Sequence, residues 1–145
     1  MKRLLTVLSA LLVSAPALAG DWLFVGGTET SVSFVDLRTV EGRDGLYRAW
    51  EQMTSLGTEI NRDLYLAEYD CAARTKRYLQ IHSFLDERLV ASETASNLVH
   101  VAPESVAADM LDVVCKNVAP KDGNMLRDVT AVDAHKAGLK ILRAN

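Results

Sequence analysis

Three groups of side chains in this sequence have the chemistry to build a site: histidines, cysteines and a short basic run. His82, His100 and His135 lack the i, i+4 spacing that lets two residues of one helix bind the same metal ion. No GxSxG, HExxH, phosphate-binding GxxxxGKS/T or CxxC motif is present. The sequence therefore predicts no catalytic residue, no metal site, no cofactor and no enzymatic activity.

The basic run consists of Arg74, Lys76 and Arg77, with Tyr78 beside it, in a chain whose net charge is −3. A cationic strand edge of this kind is able to hold an anionic partner. Alternatively, the charges protect an exposed strand edge against aggregation. Arg74, Lys76 and Arg77 are therefore candidates for binding a partner, and the protective role stays open beside that hypothesis.

Residues 1–19 have the pattern of a cleavable export signal. Lys2 and Arg3 begin it, an apolar run of about ten residues follows, and small residues end it at Ala17 and Ala19. A membrane-spanning helix needs roughly 18 apolar residues, so this run is too short. We expect cleavage between Ala19 and Gly20, no lipid-accepting cysteine after it, no transmembrane segment in the mature chain, and delivery to the periplasm or beyond.

Cleavage would leave 126 of the 145 residues, enough for one domain with a core. Two of the 16 basic residues lie in the signal, so the mature chain would have 14 basic and 19 acidic residues, which gives a net charge of about −5. Such a charge disfavours nonspecific nucleic-acid binding. We expect a domain over residues 20–118 and a C-terminal extension, helical in part, over residues 119–145.

Export also decides how the two cysteines are interpreted. An even number of cysteines in an oxidising compartment predicts a disulfide, here between Cys71 and Cys115. The bond would close a loop of about 44 residues, which the chain-entropy model values at roughly 4 kcal/mol at most. Two free buried thiols are the alternative.

Alternating apolar residues and turn signals predict an antiparallel sheet in the first part of the chain. Gly26-Gly27 is predicted to turn the first hairpin, and residues 54–62 are predicted to form a loop. The five to six predicted strands span residues 22–25, 31–36, 46–53, 64–71, 75–84 and, at the edge, 89–93.

The apolar period then changes to that of helices. Residues 106–118 sort into a polar side and an apolar side at 100° per residue, which predicts an amphipathic helix. Cys115 would reach Cys71 if this helix lies across the sheet face that carries Tyr65 and Tyr69. Thr130 and Asp133 have capping-box spacing and predict a second helix to about residue 142. The fold class predicted is α+β, with one helix disulfide-tied to the sheet and a terminal helix appended.

Several short segments together resemble the surface-adhesin protein E family of Gram-negative bacteria, over about residues 21–116. They are Asp21-Trp22, the Val-x-Phe-Val-Asp segment at 32–36, Trp50, Glu68-Tyr69-Asp70-Cys71 followed by Arg74, and Pro103-Glu104-Ser105 opening a helix that closes on Val114-Cys115. The resemblance implies an antiparallel sheet with a helix bonded to it through Cys71 and Cys115, no enzymatic activity, a periplasmic or surface location, and binding of host extracellular-matrix or serum proteins.

The leading hypothesis is thus a noncatalytic envelope protein that binds a protein partner as an adhesin does. A second hypothesis is a periplasmic structural or assembly factor that grips another envelope protein through its terminal helix. An unrecognised hydrolase is a third. Dimerisation through an open sheet edge stays open, as does the role of residues 119–145.

Overall fold

The computed structural model describes residues 19–57, 59–95, 97–121 and 123–144. The predicted export signal falls almost entirely on residues 1–18, which lie outside the described residues. Cleavage between Ala19 and Gly20 therefore stays a prediction. Within the described ranges, no helix has the length and apolar character needed to cross a membrane.

One antiparallel sheet organises the described chain. The strands are β1 (Gly20–Gly27), β2 (Ser31–Asp36), β3 (Glu41–Arg43), β4 (Leu46–Ser55), β5 (Arg62–Asp70), β6 (Thr75–Leu85), β7 (Arg88–Glu93), β8 (Leu98–His100) and β9 (Met125–Val129). They lie in the order β7-β6-β5-β4-β2-β1-β9, while β3 pairs with one end of β4 and β8 with one end of β6. A two-residue turn with positive φ at both Asp44 and Gly45 joins β3 to β4.

The prediction of five to six strands is wrong, since this sheet has nine. All six predicted strands are present, and the three others, β3, β8 and β9, have only three, three and five residues. Alternation cannot be recognised over so few positions. Gly26 and Gly27 are also not the first turn, because both belong to β1. Gly27 is needed for space: an added Cβ would lie 2.3 Å from the Ser31 carbonyl oxygen.

The first helix, α1 (Val106–Lys116), packs on one face of the sheet, which we call face A. Ser105 caps the helix by accepting a hydrogen bond from the Ala108 amide at 3.2 Å, and Asn117 ends it in the left-handed conformation. The core between α1 and face A contains Leu23, Val25, Val35, Ala49, Ala67, Tyr69, Met110, Leu111, Val113 and Val114. The predicted amphipathic helix is confirmed.

A disulfide joins α1 to the sheet. Cys71 lies in the turn that follows β5, and it is bonded to Cys115 near the end of α1. The predicted bond is confirmed, together with docking of the helix across the face that carries Tyr69. The helix at the C-terminus, α2 (Ala131–Ala144), contains no cysteine, so no disulfide ties it to the sheet.

The opposite side of the sheet, face B, is partly covered by α2. Trp22, Val32 and Phe34 of the sheet pack there against Ala134 and Leu142 of the helix. The capping box is present: the Thr130 amide donates to Asp133 and the Asp133 amide donates to the Thr130 hydroxyl, each at 3.2 Å. Strand β9 pairs with β1 just before this helix. Residues 125–144 therefore cover one sheet edge and part of face B.

Candidate functional site

The three basic candidates lie in three different places. Arg74 occupies the turn before β6, where its guanidinium is 3.9 Å from the Asp112 carboxylate of α1. Lys76 and Arg77 follow in β6, and adjacent strand residues point to opposite faces. Lys76 is buried on face A, whereas Arg77 is half-exposed on face B. The structure does not join Arg74, Lys76 and Arg77 in one surface patch.

Lys76 forms a buried ion pair with Glu51 of β4. The Lys76 Nζ lies 2.7 Å from Glu51 Oε2, and the two side chains are 7% and 4% exposed. The ammonium also lies over the rings of Tyr69 and Tyr78, at 5.4 and 4.7 Å from their centroids. Burial raises the pKa of Glu51, and the attraction of Lys76 offsets only part of that rise. This carboxylate is therefore held in an environment that disfavours its charge.

A cleft of about 190 Å³ opens beside this ion pair, between face A and the first turn of α1. Glu51 Oε1 is buried and has no hydrogen-bond partner within the described residues. The polar side chains that line the cleft include Ser33, Glu51, Tyr65, Lys76 and Tyr78, and the apolar ones are Met53, Val106, Ala107 and Met110. We call it the Glu51 cleft.

Arg77 belongs to a second charged cluster, on face B. The Glu68 carboxylate is buried between two guanidinium groups: Arg48 donates from Nε and Nη2 at 2.8 Å each, and Arg77 donates from Nε at 2.8 Å and from Nη2. Both arginines are about half-exposed, and Glu68 is 3% exposed. Burial alone would raise the pKa of Glu68, but the hydrogen bonds and charges of the arginines outweigh it and lower the pKa.

The sheet edge formed by β7 and β8 is unusually apolar at its surface. Leu89, Val90, Leu98 and Val99 are between 44% and 61% exposed. Every residue of both strands is exposed. Strand β8 pairs with Thr75 to Arg77 of β6, so it lies directly beside the basic run. Exposed apolar side chains on a strand edge are a typical docking surface for another polypeptide.

The histidines belong to three different elements. His82 of β6 stacks on Trp50 and hydrogen-bonds to Ser92 at 2.8 Å. His135 of α2 is buried and hydrogen-bonds to the Thr54 hydroxyl at 3.0 Å. His100 lies in β8. Among the residues that the structure describes, no group of three or more His, Cys, Asp or Glu side chains is placed to hold a metal ion.

Sequence reasoning missed Glu51, Arg48 and Glu68. One available clue was the position of Glu51 in β4: by the two-residue period it shares a face with Ala49, which is completely buried. A charged residue at such a position needs a partner of opposite charge. Lys76 is that partner, but the pairing depends on strand register, which the sequence does not display.

Comparison with protein families finds a match that covers most of this fold. A family model described as surface-adhesin protein E matches residues 22–116, from β1 to the last residue of α1. No curated protein and no solved structure matches the chain.

Proposed function

Because the chain belongs to the surface-adhesin protein E family, we propose that it is a noncatalytic, exported envelope protein that binds a protein partner as a surface adhesin does. Membership of this family agrees with export to the envelope of a Gram-negative bacterium. The proposed partner is a host extracellular-matrix or serum protein. The absence of recognised catalytic motifs in the sequence supports a binding role.

The β7–β8 edge carries this proposal. Its four large apolar side chains, 44% to 61% exposed, lie on the side of the sheet opposite β9. Arg74 and Arg77, both somewhat under half-exposed, flank β8 through the neighbouring strand. An extended partner segment that adds a strand here would gain main-chain hydrogen bonds and apolar contacts. The flanking cations favour a segment that carries acidic side chains.

Binding to immobilised extracellular-matrix and serum proteins tests the proposal. We expect Val99→Asp to weaken binding to the recognised protein at least tenfold, because it places a charge in the apolar edge. Val118→Asp is the matched control, since Val118 is 54% exposed and Val99 is 52% exposed. Val118 follows α1 in the chain and belongs to neither β7 nor β8. Equal binding by both variants would rule out the edge as the contact surface.

Arg74→Glu adds a test of the cationic flank. Reversal at Arg77 would be ambiguous, because it would place a carboxylate against the buried Glu68 and disturb the fold. Within the described residues, the one ion pair of Arg74 is the long contact of 3.9 Å to Asp112, so its reversal changes surface charge with little cost to stability. We expect weaker binding for Arg74→Glu, and a reversal of Arg127 on the opposite edge strand should have no effect.

The alternative function, a periplasmic assembly factor, would use α2. The inner side of this helix is occupied by the sheet, but Lys136, Lys140 and Arg143 are exposed on its outer side. A partner would therefore contact this cationic outer row. Reversing Lys136 and Lys140 to Glu should abolish copurification of an envelope partner if this function is correct, whereas adhesion to matrix proteins should be unchanged.

A further inference from the structure

The Glu51 cleft has the features of a small ligand site that is separate from the β7–β8 edge. It lies on face A, and its lining includes no residue of β7 or β8. Residues of β2, β4, β5 and β6 form its floor, and Val106, Ala107 and Met110 of α1 form one wall. Because the disulfide fixes α1 on the sheet, that wall is held in place without a ligand.

The unpaired oxygen of Glu51 requires a hydrogen-bond donor. Glu51 Oε2 accepts from Lys76, while Oε1 is buried without a partner in the described part of the chain. A buried carboxylate oxygen that lacks a donor is costly, more so than a neutral acceptor. Glu51 also lines the cleft, so a donor placed in the cleft lies beside this carboxylate.

The local charges favour a neutral donor. A second cation at Oε1 would face the Lys76 ammonium, which is already 2.7 Å from the same carboxylate. An anion would face Glu51 itself. A neutral hydroxyl or amide group meets neither repulsion, and a hydroxyl can donate to Glu51 while it accepts from another group.

The walls and the volume of the cleft further restrict the chemical class of ligand that it can bind. The rings of Tyr65 and Tyr78 lie 4.6 Å apart between centroids and give the cleft an aromatic side. The polar side chains named above line a volume of about 190 Å³, which is small for a drug-sized ligand. A phenol has one hydroxyl and would therefore engage at most two of these polar groups, one as donor and one as acceptor. A saturated ring with several hydroxyls would use several and would pack its C–H groups on the tyrosines.

We infer that the Glu51 cleft binds one neutral sugar ring, with the Glu51 carboxylate accepting a hydrogen bond from a ring hydroxyl. Lys76, one of the three basic candidates, then acts from the interior by holding this carboxylate in place. A neighbouring hollow shares Lys76, Tyr78 and Ala107 with the cleft, and Val99, His100 and Ser105 complete its lining. That hollow would accommodate the next unit of an oligosaccharide.

The full mature chain and a panel of neutral monosaccharides provide the test. The probes are D-glucose, D-galactose, D-mannose, L-fucose, N-acetylglucosamine and N-acetylgalactosamine, each measured by saturation-transfer NMR and by shifts of the backbone amide signals. We expect at least one sugar to bind and to shift amides of Glu51, Tyr78 and Ala107. Failure of every sugar to bind would overturn the inference.

Two variants locate the binding. Ala107→Phe would fill the cleft from α1 while leaving Glu51 and Lys76 themselves unchanged, so we expect at least a tenfold loss of affinity. Ala72→Phe is the matched control, because Ala72 is exposed in the turn after β5 and lies outside the cleft. Unchanged affinity in Ala107→Phe would overturn the inference. Glu51→Gln should also weaken binding, and its amide spectrum shows whether the fold is retained.

Other occupants give different results. Binding of N-acetyltyrosinamide in place of the sugars would indicate a partner's side chain and would overturn the inference. So would a crystal structure grown with the sugar that shows only water on Glu51 Oε1. This test is independent of the proposed adhesin function: Leu89→Asp changes the β7–β8 edge at a residue that lines neither the cleft nor the hollow, so this variant should retain the sugar. Loss of matrix-protein binding in this variant with the sugar retained would support two separate sites, and loss of the sugar would overturn the inference.

Discussion

Glu68 is a buried carboxylate that depends on two half-exposed arginines. Its two oxygens receive hydrogen bonds from Arg48 on one side and Arg77 on the other, so the three side chains cross strands β4, β5 and β6 on face B. Arg77 therefore stabilises the buried Glu68 carboxylate, although part of its side chain is exposed at the surface. This dual role explains why a basic run in the sequence is a poor guide to a free cationic patch.

Replacing Glu68 by Gln should lower the free energy of unfolding by about 1 to 2 kcal/mol at pH 7, because charge-assisted bonds to both arginines are weakened. The folded state lowers the pKa of Glu68 from 4.5. Its stabilisation is therefore present above pH 4.5 and is lost as the pH falls through the lower folded pKa. Urea unfolding of both proteins between pH 7 and pH 3 measures the difference.

That difference should be largest at neutral pH and should shrink below pH 4.5. Lys140→Ala serves as a control for removing an exposed charge and should show no such trend, because Lys140 is exposed on α2. A gap between wild type and Glu68→Gln that stays constant down to pH 3 would contradict the role given to the two arginines.

At the scale of elements, α2 lies against the sheet through a glycine. Gly138 is buried, and an added Cβ would lie 2.9 Å from Val32 Cγ2 and 3.1 Å from both Cβ and Oγ1 of Thr54. Both neighbours are β-branched and stiff at χ1, so they cannot easily move away. The helix accepts a residue of poor helical propensity because no other residue allows this close approach.

Gly138→Ala should therefore destabilise the protein by about 1 kcal/mol, although alanine favours helices by about that amount. Gly138→Val should cost more, since its larger side chain meets the same two residues. Equilibrium unfolding in urea checks both values, with Lys140→Ala expected within about 0.5 kcal/mol of wild type. A stabilised Gly138→Ala protein would show that α2 is not packed this closely.

The disulfide makes a separate prediction for α1. Cys71 and Cys115 are 44 residues apart in the chain, so removing their bond frees a long loop in the unfolded state. Replacing both by Ser should lower the free energy of unfolding by up to about 4 kcal/mol. Wild type unfolded under a reducing agent should match the double variant. A loss below about 1 kcal/mol in both would indicate that packing on face A alone holds the helix.

The elements that the sequence predicts are those whose own residues show the period of apolar positions typical of a strand or a helix. Strands such as β2 and β5 have six and nine residues, long enough to show the two-residue period in part, and α1 presents an apolar side over eleven. The short strands β8 and β9 form because a neighbouring strand offers unpaired backbone groups. This pairing depends on the assembled sheet and is not visible in the residues of the two strands themselves. The site residues were the hardest to predict, because their contacts depend on how neighbouring strands pair.

The position of Lys76 shows why. Gln80 pairs with Leu66 and Tyr78 pairs with Ala67, so Leu79 is an extra residue in β6. This bulge reverses the alternation along the strand and places Lys76 and Tyr78 on the same face as Ile81. Simple alternation from the second half of β6 would put Lys76 on face B, away from Glu51. Both the ion pair and the cleft depend on this one inserted residue.

For the molecule as a whole, the sheet and the helices that cover it extend beyond the segment that matches the family. The match ends at residue 116, but β9 covers the edge of β1, and α2 buries Trp22, Val32 and Phe34. Without residues 118–145 these side chains would face water, and β1 would become an exposed sheet edge. The C-terminal extension therefore contributes to the core of the same sheet.

A chain that ends at Asn117 should be less stable by several kcal/mol, because fully exposing a large apolar side chain costs about 1.5 to 3 kcal/mol. This loss is comparable with the net stability of a small domain, roughly 5 to 15 kcal/mol. Thermal unfolding and binding of the dye ANS measure it: we expect a lower midpoint and increased dye fluorescence. The double variant Lys136→Ala, Lys140→Ala changes only the outer side of α2 and should match the full chain in both measurements. A truncated chain that unfolds at the same temperature without binding dye would mean that face B needs no cover, and deletion would then be a clean test of whether α2 binds an envelope partner.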